Sequence, residues 1–299
     1  MSKFRKKFTE AFDKNYSKVY ENYEKWMLVP IIIFLLSVGV VGHTLATTGD
    51  IAELGIDFTG GSEIQFQAAD GTSTQDITEA LISDIEDVNV REITRGDNIW
   101  FVVETQQEIE RESTIRNMLE DSGIQEVREI GINSMGAAVS GNFLFEAKLG
   151  TLIAFLVMST AIFIAFRSFI PSFAVIFSAF AIIMFALAGM NILGIELSLA
   201  SLAGLLMLIG YSVDTDIVLS TRVLKQKEGT LKERIRDSIA TGVTMSMGGI
   251  IAFTILLTVS TSPVLDQIAA VMIMGLLADM PITWLGNASI LKMYDEGRF

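Results

Sequence analysis

Six apolar runs constrain this chain more than any other feature: Met27–Ala46, Leu149–Phe166, Ser172–Met190, Leu197–Leu219, Ile239–Val259 and Ile268–Leu285. Each is about 18–23 residues long, enough for a helix rising 1.5 Å per residue to cross ~30 Å of hydrocarbon. A single run of that kind is consistent with a buried core helix. Six of them in 299 residues are read as six membrane spans. The first is not read as a cleaved leader, because its basic flank is long, the run is a full span and no small-x-small site is compelling.

Charge divides the chain a second way. The formal net charge is −13, although 51% of residues are hydrophobic. Residues 47–146 hold 21 Asp and Glu against 5 Lys and Arg, so the remainder is slightly basic. This pattern excludes a simple soluble enzyme, a coiled coil and a disordered tail. It also argues against nucleic-acid binding, which needs a basic face. Cysteine is absent, so disulfide, thiol and zinc-finger chemistry are excluded.

Lys and Arg set the orientation. Sixteen fall on one side of the spans: seven within residues 1–26, Arg167, six between Arg222 and Arg236, and Lys292 and Arg298. The short links Asn191–Glu196 and Ser260–Asp266 on the other side have none. Both termini are therefore expected in the cytoplasm of a multi-pass plasma-membrane protein, with residues 47–146 outside. The expected division is a cytoplasmic segment 1–26, a first span 27–46, and an extracytoplasmic domain 47–146. A five-helix region 147–288 follows (147–166, 171–190, 197–219, 239–259, 267–287), then a cytoplasmic tail 289–299. Trp26, Tyr23, Trp284 and Tyr294 are read as interfacial anchors. The Arg222–Arg236 link is read as a basic, partly amphipathic surface helix broken at Gly229, suited to anionic lipid.

The acidic segment alternates strand and helix signals. Ser62–Ala68, Val88–Thr94, Ile99–Glu104 and Ile124–Ile132 alternate as strands. Gln75–Ile85 and Glu108–Asp121 have helical spacing, with Gly123 as a C-cap, and 95–98 (Arg-Gly-Asp-Asn) form a turn. The order β-α-β-β-α-β predicts an α+β ferredoxin-like domain between spans one and two of a polytopic α-helical membrane protein. Its carboxylates are scattered, and no motif for a metal, a small molecule or a cofactor appears.

Two local patterns are more specific. Asp57-Phe58-Thr59-Gly60-Gly61 follows the first span, where two glycines suit a tight turn with close backbone approach. Gly210-Tyr211-Ser212-Val213-Asp214 lies in the fourth span. Together with Ser134–Ala147 before the second span and one large loop between spans one and two, these segments resemble the SecD/SecF protein-export family. The single six-span half with a short outer domain resembles the SecF branch. The resemblance implies membership of the resistance-nodulation-division superfamily, a SecD-like six-span partner and association with the Sec translocon channel. It also implies use of the proton gradient to pull unfolded exported polypeptide outward. The bacterial pattern continues Asn-Asp-Thr after Gly-Tyr-Ser-Val and places an Arg in the fifth span. Here Asp214-Thr215-Asp216 stands there, Ile239–Thr244 has no base and the sixth span carries Asp279, which resembles the archaeal branch of the family more than the bacterial one.

Three acids thus fall inside apolar runs: Asp214, Asp216 and Asp279. Each costs about 2.5–3.5 kcal/mol near a bilayer centre. Asp214 and Asp216 are separated by about 200° around a helix, so they point to opposite faces. No Lys or Arg lies in the apolar runs to pair with them. A carboxylate that gains and loses a proton is what proton coupling requires, and Asp214 and Asp279 lead as candidates ahead of Asp216. The alternative is that protonated acids only cross-link helices through Thr215, Ser212, Ser246 or Asn287. Rival functions are half of a proton-coupled small-molecule exporter of the same superfamily, or an intramembrane protease. No accompanying protease motif is present, and the chain is not read as an enzyme.

Overall fold

The computed structural model describes residues 16–298 apart from 70, 86, 96, 97, 110, 125 and 261. The predicted turn at 95–98 therefore falls partly outside the described residues. Among the described residues, six helices are long and apolar enough to span a membrane. They are the first span, Leu28–Thr48, the second, Ala137–Phe166, and the third, Phe169–Leu193, followed by the fourth, Leu199–Leu224, and the fifth, Leu231–Val259. The sixth begins as Pro263–Pro281, passes through a π-helical stretch, Ile282–Asn287, and ends as Ala288–Asp295. The third, fourth and sixth spans are mostly buried and form the middle of the bundle, while the first, second and fifth stay largely bare. Their bare faces carry residues such as Leu36, Val157, Ile164, Ile251 and Ile255, as a hydrocarbon solvent allows.

Between the first and second spans lies an α+β domain. It runs α1 (Ile56–Thr59), β1 (Gly61–Gln67), α2 (Thr74–Leu81), β2 (Asn89–Arg95), β3 (Asn98–Thr105), α3 (Glu112–Asp121) and β4 (Arg128–Met135). The strand order is β2-β3-β1-β4 and all neighbours are antiparallel, the predicted ferredoxin-like arrangement. Ile64 and Phe66 of β1 and Phe101 and Val103 of β3 pack with Ile77 and Leu81 of α2 and Ile115 and Leu119 of α3. Ser73 closes a reciprocal capping box with Asp76, which starts α2.

The structure corrects several local readings. β4 begins at Arg128 rather than Ile124, because Ile124 and Val127 reach the core from the approach to the strand. The second span's helix begins at Ala137, well before the apolar run. No separate surface helix fills 222–236: the fourth span continues to Leu224 and the fifth starts at Leu231, capped by Thr230. Gly229, at φ +75°, makes the break between them. Trp284 and Tyr23 are buried within the protein. Trp284 lies against Gly242, where a Cβ would overlap its ring, so the small residue sets how closely the fifth and sixth spans meet.

Candidate functional site

Past the middle of the bundle, counted from the sheet domain, the third, fourth, fifth and sixth spans enclose two carboxyl groups. Asp216 and Asp279 are both fully buried. Asp279 Oδ1 accepts hydrogen bonds from Thr283 Oγ1 at 3.0 Å and Thr215 Oγ1 at 3.2 Å. Its Oδ2 accepts from Ser246 Oγ at 3.1 Å. Asp216 Oδ1 accepts from Asn287 Nδ2 at 2.7 Å; among the described residues Asp216 Oδ2 and Asn287 Oδ1 have no partner within 3.5 Å, although the Ser178 and Thr283 hydroxyls lie near Asp216. Ser178 of the third span adds a hydroxyl 3.4 Å from that of Thr283. The two carboxyls lie within electrostatic reach of each other.

Local sequence explains this convergence. Thr215 and Asp216 are adjacent on the inward face of the fourth span. Asp279, Thr283 and Asn287 recur every four residues along the sixth and line one face. Pro281 lacks the N–H that an α-helix would use at that position, and the backbone passes into the π-helical Ile282–Asn287. Such stretches recur at functional sites. Here one carries Thr283 to Asp279 and Asn287 to Asp216.

The geometry brings together Asp216 and Asp279, not Asp214. Asp214 is exposed on the outside of the fourth span, on a strip with Met207, Gly210 and Ile217. Tyr211 donates to Met245 O of the fifth span at 2.6 Å, and Ser212 is buried. Sequence reasoning named Thr215, Ser212, Ser246 and Asn287 as partners; among the described residues Ser212 Oγ has no partner within hydrogen-bond distance, and Thr283 and Ser178 were missed. The four-residue spacing from Asp279 could have found Thr283. Ser178 carries no such signal.

The other motif, Asp57–Gly61, lies where the sheet domain meets the spans. Asp57 Oδ2 accepts from Leu199 N at 2.8 Å, and Ser198 completes a capping box with Ser201, so both secure the start of the fourth span. Phe58 is buried among the spans. Thr59 Oγ1 bonds back to Gly55 O at 3.2 Å. Gly60 and Gly61 take φ of +82° and +118°, and a Cβ on Gly61 would strike the Thr105 carbonyl. Gly55 N bonds Leu197 O at 2.9 Å, which fixes the turn to the link before the fourth span.

Beside this turn, Arg91 of β2 ties the domain to that same link. It pairs with Glu104 of β3, with Glu196 at 3.0 Å and with Gly194 O at 3.1 Å. Burial, and then the neighbouring Glu104 carboxyl, push Glu196 up to about 8, against the opposing pull of Arg91. Burial likewise raises Glu63, which stands nearby on β1.

Comparison with known proteins places this architecture. The family model for the protein export membrane protein SecD/SecF, C-terminal, matches residues 114–297, and that for the SecD/SecF GG motif matches 53–71. The protein-export membrane protein SecF of Pyrococcus furiosus is 35% identical over 284 residues, covering 91% of this chain and 90% of that protein. Its counterpart in Methanocaldococcus jannaschii is 34% identical over 281 residues, covering 92% and 96%. The crystal structure of SecDF, a translocon-associated membrane protein from Thermus thermophilus, aligns with a TM-score of 0.76 at 17% identity. At that identity the likeness shows the fold, and the alignment covers 92% of this chain but only 38% of that longer one. Matched along its length by SecF proteins, and carrying both the glycine motif and the C-terminal region of the family, this multi-pass membrane chain belongs to the SecF branch of the SecD/SecF protein-export family.

Proposed function

We propose that this accessory component of Sec protein export works as one half of a proton-driven device rather than as an enzyme. It pairs with a SecD-like six-span subunit, associates with the translocon channel and surrounding lipid, and uses the proton gradient to promote outward movement of unfolded polypeptide. The observation that carries this reading is the Asp216–Asp279 pair. Two carboxyls sit fully buried on facing spans, surrounded by neutral hydroxyls and an amide. Burying two anions side by side without a cation is prohibitive, so such a pair suits groups that take up and release protons.

Orientation follows from the Lys and Arg bias, which supports cytoplasmic termini and an outward-facing sheet domain, residues 47–146. The partner is supported by Asp214: an acid on the bare face of a span is costly against lipid and suits a covering helix, with Gly210 beside it allowing close approach. The test is reconstitution with the SecD-like subunit and translocon, followed by export measured with and without a proton gradient. Asp216→Asn and Asp279→Asn should each abolish the gradient-dependent part. Full activity in both variants would refute the reading.

A further inference from the structure

Two buried oxygens in the acid cluster lack partners, Asp216 Oδ2 and Asn287 Oδ1. They belong to the two groups already joined by Asn287 Nδ2 and Asp216 Oδ1 at 2.7 Å. An acceptor left without a partner in a dry interior is costly, and more so beside a charge. Two such acceptors on paired planar groups form a specific shortfall. The groups have one donor hydrogen and one acceptor in contact, with two acceptors left over.

A single proton removes that shortfall. A carboxylic acid and a primary amide pair through two hydrogen bonds, amide N–H to acid C=O and acid O–H to amide C=O. The first of these is present. We infer that Asp216 is the proton-binding carboxyl of the cluster, and that Asn287 is its positioning residue, receiving the Asp216 Oδ2–H on Oδ1. Uptake forms one O–H bond at Asp216 Oδ2, and release returns that proton and leaves the carboxylate bonded to Asn287 Nδ2, with the Ser178 and Thr283 hydroxyls nearby. Asn287 thereby favours the protonated form by completing the ring while still retaining the anion.

The surroundings agree. The charged group facing Asp216 is Asp279 of the sixth span, an acid. The third span offers Ser178, and the sixth offers Thr283 besides Asn287; none carries a charge. Asp279, by contrast, accepts on both oxygens, from Thr283 and Ser246, while the single Thr215 hydroxyl hydrogen is shared between Asp279 and the Ser212 carbonyl. The two acids therefore differ in surroundings: Asp216 is paired with a planar amide that matches a carboxylic acid, and Asp279 is met by hydroxyls alone. Asn287 sits in the π-helical stretch, so its side-chain position depends on that local backbone register.

This inference rests on the proton-coupling reading, but its test needs no export. The purified full chain, with its aspartates isotopically labelled, is titrated in lipid nanodiscs while infrared absorption of protonated carboxyl C=O groups is followed. A labelled protonated band should be present near neutral pH, absent in Asp216→Asn and retained in Asp279→Asn. In Asn287→Leu the band should change frequency, and its loss should move at least tenfold in proton concentration toward acid. Asn287→Gln, which keeps the amide, should restore part of the shift. A band removed by Asp279→Asn instead, a titration unchanged in Asn287→Leu, or a band abolished by adding sodium at fixed pH would each overturn the inference. If the band behaves as expected but export ignores the gradient, the coupling reading fails and the acid–amide pair stands.

Discussion

Replacing Glu196 by Gln probes the joint between the sheet domain and the spans. Glu196 is buried between Arg91, Glu104 and the Gly55 backbone, and its carboxyl is raised from 4.5 to about 8 by burial and then by Glu104. A group that binds its proton more tightly in the joined state stabilises that state below its free value. The contribution is lost as pH rises through the raised value. Each tenfold in proton affinity is worth about 1.4 kcal/mol, so the whole rise bounds the effect at roughly 5 kcal/mol. Sharing between Glu196 and Glu104 reduces this to a few kcal/mol, still one to two orders of magnitude in the population of the separated state. Amide hydrogen exchange reads that population at Gly55, Leu197 and Leu199, whose N–H groups bond across the joint. Wild-type protection should fall between about pH 6 and about pH 9 by at least tenfold more than in Glu196→Gln. Comparing both proteins at each pH cancels the intrinsic exchange chemistry. A wild type with flat protection, or a Gln variant that falls in parallel with it, would refute the reasoning.

Three further substitutions follow from geometry. Gly61→Ala places a Cβ on the Thr105 carbonyl at φ +118°, so the β1–β3 pairing must shift. It should cost about 2 kcal/mol or more, read as a lower melting temperature of the full chain with exchange losses confined to the sheet domain. Gly242→Ala drives a Cβ into the buried Trp284 ring and should cost about 1–3 kcal/mol, read as a lower thermal midpoint in detergent with altered Trp284 fluorescence. Asp57→Ala removes the acceptor for Leu199 N and should cost about 1 kcal/mol, with faster exchange limited to the first turn of the fourth span.

The spans and the sheet domain were legible because each rests on a periodic burial pattern. Ile64 and Phe66 must face one way from β1, and a run without charge from Ser172 to Met190 has no stable place in water. β4 was misplaced because periodicity reports burial, not strand pairing: Ile124 and Val127 are buried while still outside the strand. For the acids, the angular rule separated Asp214 from Asp216, but one helix in isolation cannot say which of its faces is inside. That needs the sixth span, whose Asp279, Thr283 and Asn287 fix the inward side. The π-helical register has no compositional signature beyond Pro281. The Arg91–Glu196 pair joins residues far apart in sequence through the docking of two units, which no local window reports.

The two patterns that carry the family resemblance meet on one element. Asp57 caps the fourth span at Leu199, and the same helix carries Asp216 seventeen residues on, roughly 25 Å along its axis. Its first turn is fixed three ways: by the Asp57 carboxylate, by the Ser198–Ser201 box and by the backbone bonds from Gly55 N to Leu197 O and from Leu197 N to Glu53 O. The facing sixth span has the opposite character. Its regular hydrogen bonding is already interrupted between Pro281 and Ala288, beside the same two acids. A change in the contacts of Asp216 and Asp279 therefore falls on one stiff, anchored helix and one locally compliant helix. The compliant side takes up local rearrangement at lower cost, around Thr283 and Asn287. The anchored side moves as a unit or not at all, and when it moves it carries the Asp57 turn and the Arg91–Glu196 joint with it. The glycine motif and Asp216 are thus joined through one helix, the fourth span, which runs from the sheet domain into the middle of the bundle.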